Sequence, residues 1–136
     1  MDDRIIIYTD GSVIGNGQAD SKTGWAVIIM YRNVAKVKSG KGTDGWTNNQ
    51  IEMYAVFKAM QSITGKNTPV TIISDSQYVV KTFNGEFQVG SNEAMWKQLM
   101  GERDKFTDIE FQWVKGHADD KFNILADMIA FGEASS

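Results

Sequence analysis

Ile5-Ile6-Ile7-Tyr8-Thr9-Asp10-Gly11-Ser12 is the stretch on which the fold turns. A short β-branched run of this kind suits a strand buried on both faces, so Arg4 to Asp10 is expected to form the central strand. Working outward, Trp25 to Arg32 and Val34 to Gly42 read as two more strands, the second alternating Ala35, Val37 and Ser39 with lysines. These three form an antiparallel meander. From Asn48 to about Ile63, Ala55, Val56, Ala59, Met60 and Ile63 recur at helical spacing, and Gly65 supplies a stop. The only proline, Pro69, opens a strand from Val70 to Ser74. Helices over Ser76 to Phe83 and Glu93 to Asp104, a strand over Ile109 to Lys115 and a helix over Lys121 to Phe131 complete the chain. In that last helix Ile124, Met128 and Phe131 share one face, with a ragged tail after Gly132. The order βββαβααβα predicts an α/β protein with a five-stranded mixed sheet flanked by helices. No repeat, low-complexity tract or linker interrupts it, so residues 1–136 are expected to form one domain.

Composition narrows the chemistry. The 136 residues are 42% hydrophobic and 11% aromatic, enough for one domain with a real core. Every apolar run is shorter than a bilayer crossing, and Met1-Asp2-Asp3-Arg4 is unlike a signal peptide, so a soluble, cytoplasmic protein is expected. With no cysteine, a bound metal must use oxygen ligands or the one histidine, which favours hard cations such as magnesium or manganese. The formal net charge of -3 argues at first against a polyanionic partner. Two bound divalent cations would bring the balance to about +1, so the metal-bound form need not repel phosphate.

Four acids stand where simple packing prefers something else. Asp10 follows the Ile-rich run, where Asp-Gly also reads as a hairpin turn. Glu52 opens the apolar stripe of its helix, although a first-turn acid also suits the helix dipole. Asp75 follows Val70-Thr71-Ile72-Ile73-Ser74 at the carboxyl end of a strand, where it could serve as a helix N-cap or line a ligand site. Asp127 lies between Ile124 and Phe131, along an apolar face. Buried, unpaired carboxylates are costly, and Lys115 and His117 cannot pair with all four. A shared cluster of two divalent ions is the economical compensation, and such pairs suit in-line phosphodiester chemistry.

Five motifs in order now resemble those of the ribonuclease H type 1 family: Tyr8-Thr9-Asp10-Gly11-Ser12, Thr47-Asn48-Asn49-Gln50-Ile51-Glu52, Ser74-Asp75-Ser76-Gln77-Tyr78-Val79, Trp113-Val114-Lys115-Gly116-His117-Ala118, and Asn123 with Ala126-Asp127. The resemblance covers nearly the whole chain and implies the ribonuclease H-like fold. It implies an endonuclease that hydrolyses the RNA strand of RNA/DNA hybrids, leaving 5′-phosphate and 3′-hydroxyl ends. It further implies that Asp10, Glu52, Asp75 and Asp127 bind two Mg2+ ions, with Mn2+ as a substitute. His117 would then sit on a mobile loop and assist the attacking water or product release. Asn16, Asn48, Asn49 and Gln77 would line the hybrid's minor groove, since an amide offers a 2′-hydroxyl both a donor and an acceptor. Gly11, Ser12 and Thr47 join them as substrate-binding candidates. The protein is expected to act as a monomer, or with the help of a second hybrid-binding protein or domain.

Two departures from the family pattern bear on affinity. Many members carry a lysine-rich protrusion where this chain has Phe83-Asn84-Gly85-Glu86-Phe87-Gln88-Val89-Gly90-Ser91-Asn92, without a basic residue. Cellular members often have an arginine where Gln50 stands, gripping a DNA-strand phosphate; Thr47 and Asn16 could still hydrogen-bond it. Weak hybrid binding with a shallow salt dependence is therefore expected. Trp96 and Phe87 are candidate stacking surfaces, although Trp96 lies at helical spacing with Leu99 and Met100, which suits core packing equally. Alternatives are a non-catalytic hybrid-binding module and another nuclease of the same fold. An aspartyl phosphotransferase would need an aspartate at the position of Tyr8.

Overall fold

The computed structural model describes residues 3–116 and 120–136. The Ile-rich run forms β1 (Ile5–Ile14), flanked by β2 (Lys22–Tyr31) and by β4 (Val70–Ser74), with β3 (Val34–Lys41) and β5 (Ile109–Trp113) at the edges. The order is β3-β2-β1-β4-β5, with β1, β2 and β3 antiparallel and β1, β4 and β5 parallel. β1 does not end at Asp10. It runs on with Asp10 beside Ala26 and Gly11 beside Trp25, and the chain reverses later, where Gly15 and Gly17 take φ of 77° and 87°. The Asp-Gly pair is therefore strand, and the turn chemistry falls to glycines that tolerate positive φ.

Helices α1 (Asn48–Gln61), α2 (Gln77–Phe83) and α3 (Glu93–Arg103) bury their apolar residues on one face, against Ile7, Val27, Ile72 and Phe111. A capping box starts α1: the Gln50 N–H donates to the Thr47 hydroxyl, and the Thr47 N–H to the Gln50 side-chain oxygen at 2.9 Å. α2 is capped by Ser76, whose hydroxyl accepts from the Val79 N–H, so Asp75 is not the N-cap. Trp96 belongs to the core. It is 1% exposed, packs against Phe83 and Tyr78, and donates its indole N–H to the Tyr78 hydroxyl. This burial removes it as a base-stacking surface, whereas Phe87, on the irregular connection between α2 and α3, is exposed.

α4 (Lys121–Ser135) covers the other face of the sheet, over Ala26 and Ile28. Its orientation differs from the expected one. The buried positions are Asn123, Ala126, Ala130 and Ala134, while Met128 is 64% and Phe131 55% exposed. Small side chains won because the helix lies against β2 at Gly24, where an added Cβ would collide with the backbone of Ala130 and Ala134. The helix also continues to Ser135, through the residues expected to be ragged. No helix among the described residues is long and apolar enough to cross a membrane.

Candidate active site

Three elements deliver carboxylates to one place. Asp10 comes from the middle of β1, Glu52 from the fifth position of α1, and Asp75 from the residue after β4. Each offers an oxygen such that all three lie within 4.8 Å of one another. Asp10 is 1% and Glu52 5% exposed, so neither is a solvated surface acid. Asp127 is half-buried on the flank of α4, outside that trio, with its charge acting on Asp10.

The backbone explains the convergence. Gly11 passes so close to α1 that a Cβ there would stand 2.8 Å from the Ile51 carbonyl carbon and 2.9 Å from the Glu52 nitrogen. The Gly11 N–H donates to Asp10 Oδ1 at 2.9 Å and to Glu52 Oε1 at 2.7 Å, tying two carboxylates to one donor. At the end of β5, the Trp113 indole N–H donates to the Asp75 carbonyl at 3.1 Å, and beyond the strand a Cβ on Gly116 would meet Asp75 Oδ2 at 2.8 Å. Gly116 and Trp113 thus fix Asp75, a role that sequence reading missed. The available signal was Gly116 just past a strand, inside the motif Trp113-Val114-Lys115-Gly116-His117-Ala118. His117 lies outside the described residues.

Crowding of negative charge makes the bare cluster hold protons. Burial first, then the charges of Asp75 and Asp127, push Asp10 up to about 9, against an opposing hydrogen bond from Glu52. Burial and the charges of Asp10 and Asp75 likewise hold Glu52 well above the usual carboxylate range, opposed by the Gly11 N–H. Among the described residues no lysine or arginine pairs with Asp10 or Glu52, and the buried Asp10 Oδ2 has no hydrogen-bond partner. An all-oxygen donor set with an orphaned buried oxygen fits a hard divalent cation.

The polar candidates gather around the start of α1. Asn16 Oδ1 accepts from the Asn48 N–H at 3.0 Å, which binds the β1–β2 connection to the helix N-terminus beside Thr47. Gln50 is occupied by the capping box and donates its amide to Asn92 at 3.3 Å. Asn48 and Gln77 are exposed, Asn49 and Ser12 half-buried, and Gln77 follows Asp75 by two residues at the start of α2.

Comparison with known proteins decides the family. The model of the RNase H family matches residues 2–135. The chain belongs to the RNase H family of nucleases. Its curated relatives include the ribonuclease H of Chromobacterium violaceum, 36% identical over 95% of this chain and 93% of that one. Another is the ribonuclease H of Neorickettsia sennetsu, 35% identical over 96% and 93%. Among solved structures, LC11-RNase H1 in complex with an RNA/DNA hybrid superposes with a TM-score of 0.82 at 20% identity, covering 96% of each chain. LC9-RNase H1, a type 1 RNase H with the type 2 active-site motif, gives 0.83 at 22% identity, over 99% of this chain and 74% of that one. The fold is therefore that of the RNase H family, with its five-stranded mixed sheet.

Proposed function

We propose that the protein is an endonuclease that hydrolyses the RNA strand of RNA/DNA hybrids, using two divalent ions and leaving 5′-phosphate and 3′-hydroxyl ends. The observation that carries this reading is the convergence of Asp10, Glu52 and Asp75 around an unpartnered, buried carboxylate oxygen. Asp10, Glu52, Asp75 and Asp127 would hold the ions, with Mg2+ the natural choice and Mn2+ a substitute. When bound, such ions supply an activated water and charge stabilisation at the leaving oxygen.

The chain's own residues set up the reaction. The Gly11 N–H holds one oxygen each of Asp10 and Glu52, which leaves Asp10 Oδ2 to face the ligand. Asn16, Asn48, Asn49 and Gln77 offer uncharged donors and acceptors to 2′-hydroxyls in the minor groove, which is how an RNA strand is told from DNA. Gly11, Ser12 and Thr47 complete the substrate contacts, Thr47 and Asn16 facing a DNA-strand phosphate. His117 assists proton traffic at the attacking water or departing product. The enzyme acts in the cytoplasm as one domain and as a monomer.

Incubating an end-labelled RNA/DNA hybrid with magnesium, and again with EDTA, tests the reading. Internal cuts confined to the RNA strand and abolished by EDTA are expected. Binding without metal-dependent cleavage would instead identify a non-catalytic hybrid-binding module.

A further inference from the structure

Asp75 joins the carboxylate trio from a bend between two elements. β4 ends at Ser74, whose carbonyl takes the last rung of the β4–β5 ladder from the Val114 N–H at 3.0 Å. α2 begins after its cap Ser76, whose own carbonyl accepts the first helical bond, from the Val80 N–H. The Asp75 carbonyl thus lies past the ladder and ahead of the helix, where neither supplies a donor. The Trp113 indole N–H fills that place at 3.1 Å. Trp113 stands level with Ser74 in the register and shares a strand face with Phe111, yet it is 39% exposed where Phe111 is 8%. A ring left so far in solvent adds much less to the core than the fully buried Trp96, so its hydrogen bond weighs more than its burial. Three residues on, the Gly116 backbone closes on the carboxylate itself, 2.8 Å separating Asp75 Oδ2 from where a Cβ would stand.

The other two members of the trio are held differently. Asp10 sits inside β1 and Glu52 inside α1, and the Gly11 N–H donates to an oxygen of each. Asp75 is half-buried and belongs to no strand or helix. Like charges repel, so the carboxylate on a bend is the one that yields unless its backbone is tied. We infer that Trp113 is a positioning residue for the metal site: its indole N–H anchors the Asp75 backbone, and so keeps the Asp75 carboxylate turned toward Asp10 and Glu52. The inference rests on the reading of these carboxylates as ligands of divalent ions.

The test is Mn2+ binding to the whole, substrate-free protein, followed by electron paramagnetic resonance, with thermal scans in EDTA alongside. Trp113→Phe keeps an aromatic ring and removes the donor. It should weaken Mn2+ binding about tenfold, the low end for a group that supports a metal ligand, and move the melting temperature by no more than about 4 °C. Gly116→Ala, whose Cβ displaces the flexible end of Asp75, should weaken binding likewise. Trp96→Phe, which takes a buried donor from the Tyr78 hydroxyl, should lower the melting temperature and leave Mn2+ affinity unchanged. In an Asp75→Ala background there is no carboxylate to position, so Trp113→Phe should cost no further affinity. Unchanged Mn2+ affinity in Trp113→Phe, or an equal loss with and without the Asp75 carboxylate, overturns the role of Trp113 and leaves the metal site standing. Absence of Mn2+ binding by the unsubstituted protein removes the metal site and the role of Trp113 with it.

Discussion

Asp10 has a pKa near 9 in the metal-free protein because it is buried beside other carboxylates. In the unfolded chain it would titrate near 4, so between about pH 4 and pH 9 the folded state retains a proton that the unfolded state has lost. Stability from this residue is thus full below pH 4 and is lost as pH rises through 9. Asp10→Asn, which mimics the protonated form, should raise the metal-free melting temperature by roughly 5 °C or more at pH 9, and far less at pH 5. Thermal scans in EDTA at both pH values check this, and an equal shift at both would refute the crowding. The same variant should lose more than about 100-fold in cleavage rate, since removing even a supporting contact at a metal site costs 10- to 100-fold. Gly11→Ala should cost about 2 kcal/mol or more, because its Cβ lands on the backbone of Ile51 and Glu52; urea denaturation measures it. Asp10, Glu52 and Asp75 were legible in the sequence because each is an acid directly after an apolar strand run or on an apolar helical stripe. The Gly116 approach to Asp75 was not, because a glycine's role in close packing leaves no side-chain signal.

At the level of elements, periodicity revealed every strand and helix in order but not which way the last helix faces. Ile124, Met128 and Phe131 form the apolar stripe by residue type, yet the sheet accepts the alanine stripe, because Gly24 brings two backbones into contact. Asp127 therefore flanks the buried alanine face instead of lying among large apolar side chains, as its position between Ile124 and Phe131 suggested. Ala130→Leu should cost about 1–3 kcal/mol through overpacking, while Met128→Ala should stay within about 0.5 kcal/mol. Equilibrium unfolding of the two variants decides between the orientations. The start of β1 was legible and its end was not, since Asp10-Gly11 carries turn chemistry that β1–β2 pairing overrides. The capping box at α1 gives a second elemental test: Thr47→Ala should lose about 1 kcal/mol of stability by the same measurement.

For the whole molecule, the sheet order puts β1 and β4 side by side and parallel with Thr9 level with Ser74, so Asp10 and Asp75 stand side by side where β4 ends, and α1 lays Glu52 across β1. Nothing in the local sequence says that these residues, 42 and 65 positions from Asp10, meet; only the topology does. Folding without metal then forces like charges together; divalent cation binding should raise the melting temperature, by less as pH falls below 9 because protons compete for the carboxylates, and should release protons there. The most direct measurement is anomalous diffraction at the manganese edge from a crystal of the protein soaked in Mn2+ with an RNA/DNA hybrid bound. Metal peaks coordinated by Asp10, Glu52, Asp75 and Asp127 are expected. A map with no peak at these carboxylates, beside an intact bound hybrid, would contradict the metal reading.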